Sequence, residues 1–193
     1  MLATRVEPMA RGHQERLAPL VAEVMADAGV AFDKLDRVGV TIGPGSFTGL
    51  RVGLAFAKGL GAALSIPVIG VGVLEALARP LAGTVFAVLD AKRDQVYLQA
   101  FADGVAVSAP DALPLGTAAA RLAELAGAGP MTLVGSGVAL VSELLPGAIV
   151  VAADHADPVA VAQIAQVRPP VPPRPLYLRA PDAKLPGGHD LPA

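Results

Sequence analysis

The sequence predicts an α/β fold, and three observations carry that expectation. Short apolar runs of strand character alternate with longer segments of helical period through both halves of the chain, which implies parallel pairing with right-handed crossovers. The two halves also repeat one order of elements. The first reads strand, then α-β-α-β-α; the second reads three strands, then α-β-α-β-α, so the first half looks like the same unit without two opening strands. Finally, an apolar strand runs through Gly43-Pro44-Gly45-Ser46 straight onto a helix.

In chain order, residues 2–7 alternate enough for a short strand. Residues 13–28 form a helix with Leu17, Leu20, Val21 and Val24 on one face, and Gly29 suits its C-terminal cap. A strand over 38–42, a helix over 47–64, a strand over 67–71 and a helix over 74–78 follow. The second half opens with a strand over 84–89 that turns through 90–94 into 95–102. Asp103-Gly104 leads to a third strand, 105–108. A helix over 116–126, a strand over 131–135, a helix over 138–145, a strand over 148–151 and a helix over 158–165 complete it. The tail, with Pro169-Pro170 and Pro172-Pro173, reads as an extended segment over the surface, anchored by Tyr177 and Leu178. Its end, Pro186-Gly187-Gly188, reads as disordered. The organisation predicted is a unit over 1–82, a second over 83–167 and a Pro-rich tail over 168–193.

Composition limits what such a fold can do. The chain has 193 residues, 53% of them hydrophobic and only 17% charged, enough to bury a real core. A net charge of −2 gives no electrostatic footprint for nucleic acid, so contact with RNA would run through a partner. Cysteine is absent, which excludes a disulfide framework and a thiolate site. The uncharged stretch 125–142 is broken by Gly127, Gly129, Pro130, Gly135 and Gly137 and does not read as a membrane span. No secretory signal follows Met1. A cytoplasmic protein is expected.

The strand–turn–helix junction places free N–H groups and a positive helix end at one spot, where an anion can sit. Gly43, Gly45, Ser46 and Thr48 are the candidate contact residues. The glycines read G-x-G-x-x-x-G, one residue too long for the dinucleotide fingerprint, and Leu50 stands where a phosphate-binding loop needs Lys. On spacing alone, a tight turn with close strand–helix packing is the favoured explanation.

The full string is more specific. Gly43-Pro44-Gly45-Ser46-Phe47-Thr48-Gly49-Leu50-Arg51, with Gly53, Lys58-Gly59 and Ile66-Pro67-Val68-Ile69-Gly70-Val71 behind it, closely resembles the TsaB (YeaZ) family, bacterial partners of the tRNA threonylcarbamoyl transferase TsaD. Gly12-His13-Gln14-Glu15-Arg16-Leu17-Ala18-Pro19-Leu20 resembles the family's first helix. Val73-Leu74-Glu75-Ala76-Leu77-Ala78, Asp90-Ala91-Lys92-Arg93-Asp94-Gln95-Val96-Tyr97 and Pro175-Leu176-Tyr177-Leu178-Arg179 extend the likeness over most of the chain. It implies two RNase-H-like subdomains of the actin-like ATPase superfamily, the first lacking its opening strands. The family's opening strand and its Asp-Thr-Ser-type loop have no counterpart here, as if the chain were truncated or its start misplaced. Strand 38–42 would then keep one neighbour and 2–7 none, so this form is expected to express poorly or aggregate.

Helix 47–64 carries Gly49, Gly53, Ala57 and Gly61 at four-residue spacing, beside a ridge of Leu50, Leu54 and Leu64. Each interior glycine costs about 1 kcal/mol relative to Ala, so something must come close to the backbone. That could be the chain's own sheet or first helix, or a partner protein. The resemblance favours a partner, because the family pairs through its first two helices; Leu20 and Val24 join the candidate interface on that ground. Arg51 and Lys58, seven apart, share a face, and Arg51 sits against the helix dipole unless an anion is near. It is a candidate partner or anion contact.

Other constellations read as ordinary structure. His13, His155 and His189 are far apart, and no His pair has metal-binding helical spacing, so no metal is predicted. Asp154-His155-Ala156-Asp157 reads as a polar turn and helix cap. Asp90, Lys92, Arg93 and Asp94 sit at a hairpin turn, which approaches phosphate in actin-like ATPases but is equally a solvated turn. Gly135-Ser136-Gly137 is not a nucleophile elbow, and no nucleophile–base pair is evident.

The resemblance therefore implies a non-catalytic subunit of the complex that forms N6-threonylcarbamoyladenosine in tRNA. TsaD would be its heterodimer partner, TsaE would join as an ATPase, and tRNA would be reached only through the complex. A homodimer is possible. No cofactor is expected on this chain, with ATP or ADP reserved for the assembled complex. The alternative is an ATP-dependent phosphotransferase or a peptidase-like enzyme of the actin-like ATPase and glycoprotease group.

Overall fold

The structure, a computed structural model, describes residues 1–7, 12–127 and 129–179. Its described residues form two sheets. Strands β1 (Val38–Gly43) and β2 (Val68–Gly72) pair in parallel as a two-stranded sheet. The larger sheet contains β3 (Thr84–Lys92), β4 (Gln95–Ala102), β5 (Val105–Ala106), β6 (Asp111–Pro114), β7 (Met131–Val134) and β8 (Ile149–Val151). Its order is β5-β4-β3-β7-β8, with β6 also beside β4. The β3–β4 hairpin is antiparallel, while β7 and β8 continue the sheet in parallel. Strand β3 lies in the interior of the sheet, and Val85 through Leu89 are all buried, the continuous apolar run expected where both faces are covered.

The helices are α1 (His13–Ala28), α2 (Phe47–Leu64), α3 (Val73–Ala78), α4 (Leu115–Leu125) and α5 (Pro158–Val167). Helix α1 ends where Gly29 takes the left-handed conformation, φ 63°. Each half of the chain lends its last helix to the other half's sheet. Leu74, Leu77 and Ala78 of α3 pack with Val85, Ala87, Leu89 and Phe101 of the larger sheet. Ala160, Ile164 and Ala165 of α5 pack with Ile69 and Val71 of β2. A Cβ on Gly39 of β1 would lie 2.9 Å from the Ala165 Cβ, so glycine is what lets α5 seat so closely. The third cluster, under α4, gathers Phe86, Val88, Val96, Leu98, Ala118, Leu122 and Val141.

Three expectations need correction. Residues 2–7 have no regular structure. No strand lies beside them among the described residues, and they are held instead by ion pairs of Arg5 with Asp27 and of Glu7 with Arg16. Residues 138–145 form two 3-10 turns, Val138–Leu140 and Ser142–Leu144, not a helix. Val138, Val141 and Leu145 are all buried, and this i, i+3, i+7 spacing imitates a helix in the sequence. Residues 105–108 contribute only two strand residues; Asp111–Pro114 resumes pairing farther along β4, opposite Gln95 to Leu98. As an edge strand it tolerates its terminal Pro114.

The tail crosses both sheets and is more firmly anchored than Tyr177 and Leu178 alone would provide. The Arg168 guanidinium donates to the Gly70 carbonyl at 2.7 Å and to Glu75 Oε1 at 2.5 Å. Pro173 is buried, and the Leu176 amide donates to the Ile42 carbonyl at 2.7 Å. Arg179 Nη1 donates to the Ala91 carbonyl at 2.7 Å. His189 and residues 186–188 lie outside the described residues.

Candidate functional site

Two regions gather the singled-out residues: a cleft at the β1–α2 turn, and α2 itself. At the turn, Gly43 is buried with φ 109°. A side chain there would stand 2.8 Å from the Leu176 carbonyl oxygen, so both the dihedral and the tail demand glycine. Ser46 caps α2, its Oγ accepting from the Gly49 amide at 3.3 Å. The hydroxyl thus occupies one of the donors that an anion would use.

The β3–β4 hairpin faces this turn. The Asp90 carboxylate accepts from the Lys92 amide at 2.7 Å and from Lys92 Nζ at 2.6 Å, and these bonds hold its pKa below the ordinary value. The Asp90 amide donates to Ser136 Oγ at 3.3 Å. Lys92, Arg93 and Asp94 have φ of 63°, 53° and 55°, an uncommon run of left-handed non-glycine residues. Space opens on both sides of the turn. A cavity of about 340 Å³ is walled by Phe47, Asp90, Lys92, Tyr97, Tyr177 and Arg179. One of about 420 Å³ reaches Thr41, Leu50, Ser136, Asp154 and His155. Gly45 and Ser46 line both. Gly43 and Thr48 line neither, and Thr48 is exposed on α2.

His155 is exposed at the rim, while Asp157 caps α5 by accepting from the Val159 amide at 2.9 Å. His13 opens α1. Among the described residues no group of three or more His, Asp or Glu is placed to hold a metal ion.

On α2 the expected smooth stripe divides. Leu50, Leu54, Ala57 and Gly61 are buried. A Cβ on Gly61 would fall 2.4 Å from Val68 Cγ2 and 3.0 Å from the Ile66 carbonyl. Ala57 and Gly61 therefore serve packing within the chain and are not available to a partner. Gly49 is exposed and Gly53 half-buried, and a Cβ on Gly53 would meet nothing within 4 Å. The smooth outward face lies elsewhere. Ala55, Gly59, Ala62 and Ala63 are all exposed, with open space over Gly59. The sequence held the signal for this: Leu50 and Leu54 fix the buried direction, Gly59 lies opposite it, and 55 and 62 lie on the flank between. Leu20 and Val24 are half-buried on α1, which packs on α2.

Arg51 is exposed but anchored. Its guanidinium carbon lies 3.8 Å from the centre of the Phe47 ring, and its Nε donates to the Tyr177 hydroxyl at 3.2 Å. The Phe47 and Tyr177 rings are themselves 4.9 Å apart. Lys58 is exposed and lies with Pro170, Pro172 and Pro173 along a groove under the tail.

This architecture has known counterparts. Residues 7–143 match the family profile described as TsaD: tRNA N6-adenosine threonylcarbamoyltransferase. An uncharacterized protein of Mycobacterium tuberculosis is 40% identical over 190 residues, 95% of this chain and 83% of that protein. The tRNA threonylcarbamoyladenosine biosynthesis protein TsaB of Haemophilus influenzae is 37% identical over 92 residues, 45% of this chain and 39% of that protein. The match to a 48% identical Mycobacterium leprae relative likewise spans only 30% of its length. Among solved structures, a Pseudomonas aeruginosa protein similar to peptidase YeaZ superposes with a TM-score of 0.74 at 28% identity, covering 90% of this chain and 87% of that one. The chain belongs to this threonylcarbamoyltransferase family, on its TsaB (YeaZ) branch. Among the described residues no helix is long and apolar enough to cross a membrane.

Proposed function

We propose that this chain is a non-catalytic subunit of the complex that forms N6-threonylcarbamoyladenosine in tRNA, pairing with a TsaD-type transferase. The observation that carries the pairing is the outward face of α2, where Ala55, Gly59 and Ala62 present small side chains around the exposed Lys58, in a chain of the TsaB branch. Such a face admits close helix–helix approach. Helix α1, with Leu20 and Val24, flanks it. In this reading the two sheets are two RNase-H-like subdomains of actin-like ATPase architecture, 1–82 and 83–167, followed by the tail. TsaE joins the assembled pair, tRNA is met by the complex rather than by this chain, and any nucleotide belongs to the assembly. A homodimer would use the same face.

Gly59→Leu tests the pairing. Because a side chain at Gly59 meets nothing within 4 Å, the variant should fold and melt as the parent does, yet fail to co-purify with the transferase. Retained co-purification would overturn the reading. A second reading, an ATP-dependent phosphotransferase or peptidase-like enzyme, rests on the cleft that brings Asp90, Ser136, Asp154 and His155 around one space. ATP or peptide turnover by the purified chain alone would favour it.

A further inference from the structure

Arg51, the fifth residue of α2, stands just past the first turn, near the positive end of the helix dipole. Two aromatic residues compensate. The face of Phe47 supplies the negative side of its ring quadrupole at 3.8 Å, and the Tyr177 hydroxyl accepts from Nε at 3.2 Å. Tyr177 reaches this position because the tail is fixed on either side of it, by the Leu176 amide on the Ile42 carbonyl and by Arg179 on the Ala91 carbonyl. Arg51 itself is exposed and forms no further hydrogen bond among the described residues. The guanidinium is therefore oriented by groups that leave its Nη pair open to solvent. That planar pair of donors matches a carboxylate in bidentate fashion, and an arginine already ordered loses less freedom on binding.

We propose that Tyr177 and Phe47 hold Arg51 as a fixed receptor for a carboxylate side chain of the protein that packs on the outward face of α2. The inference rests on the pairing proposed above and adds the chemistry of one contact to it. Protein is favoured over RNA by the surroundings. Ala55, Gly59 and Ala62 are uncharged, and Lys58 is the one other cation on this face of α2, whereas a phosphate backbone calls for a run of cations. Small side chains that allow close packing, bordered by a few charges, suit a protein interface. Tyr177 is a positioning residue in this scheme, acting only through Arg51.

The test uses the full chain and the TsaD-type transferase from the same organism, with affinities from titration calorimetry. Tyr177→Phe keeps the ring on Phe47 and removes the acceptor; it should weaken binding about five- to tenfold, the cost of immobilising one rotamer-rich side chain on binding. Arg51→Ala should weaken it at least as much, and the double variant no more than Arg51→Ala alone. In the isolated chain, NMR relaxation of the Arg51 Nε–H should show an ordered group that becomes mobile in Tyr177→Phe. The proposal is overturned by an Nε–H equally mobile in both proteins or by no loss of affinity. It is also overturned by losses that add independently, or by an Arg51→Ala loss that appears with tRNA and not with the transferase. Gly59→Leu separates the two levels. If that variant still binds, the pairing reading falls and takes this contact with it. If it abolishes binding while Arg51→Ala and Tyr177→Phe do not, the contact alone is wrong.

Discussion

One methyl group should stabilise α2 at Gly59 and damage it at Gly61, two positions only half a turn apart. At Gly59 the added carbon meets nothing within 4 Å, so Gly59→Ala should raise stability by up to about 1 kcal/mol through the cost of freezing glycine in a helix. At Gly61 it would collide with Val68 Cγ2 and crowd the Ile66 carbonyl; Gly61→Ala should cost about 1–3 kcal/mol by overpacking. Urea unfolding of both variants checks the pair. A pH dependence belongs to the same scale. Hydrogen bonds from Arg16 hold Glu7 and Glu23 below their ordinary carboxylate pKa. Their contribution is therefore complete above the ordinary value and disappears as pH falls through the lowered ones. Residues 1–7 should stay docked on α1 at neutral pH and come away in acid, read from the NMR shifts of Glu7 and Arg16 across that window. Arg16→Gln should abolish the transition.

Among the elements, α5 is held at both ends by charge. Asp157 caps its start, and Arg37 Nη1 donates to the Ala165 and Gln166 carbonyls at 3.0 and 2.6 Å where it finishes. A cation on those terminal carbonyls satisfies orphan acceptors and complements the dipole. Arg37→Met should cost about 1 kcal/mol, measured by thermal unfolding. This bond spans more than 120 residues of sequence, which is why nothing in the linear chain announced it. Helix α2 was legible to its ends because Ser46 is a good cap and Leu50, Leu54 and Ala57 keep helical period. The segment 138–145 misled for the converse reason. Its buried spacing is helical, but Gly137 bonds to the Val88 carbonyl and commits the chain to tighter turns against β3. The site divides in the same way. Gly43, Gly45 and Ser46 could be placed at a strand–helix turn from type and order alone, whereas the partnership of Arg51 with Tyr177 depends on where the tail returns.

At the scale of the molecule, α3 and α5 tie the sheets together, and Arg168 adds a polar bond between them through Gly70 and Glu75. Unfolding should therefore be one transition by circular dichroism and by calorimetry, with no separate melting of the β1–β2 sheet. Arg168→Met, which strips a carbonyl and a carboxylate of their partner, should lower stability by about 1–3 kcal/mol without splitting that transition. Two steps in the parent protein would show the sheets to be independent.

The exchange of helices also sets a timetable for synthesis. The β1–β2 sheet is complete once Gly72 has left the ribosome, but the apolar side that Ile69 and Val71 present is covered by Ala160, Ile164 and Ala165. More than ninety residues must be translated before that cover exists, several seconds at ordinary rates of about 5–20 residues per second. During that interval the nascent first half exposes a bare apolar sheet, the kind of surface a holding chaperone recognises, and its release waits on the last helix of the fold.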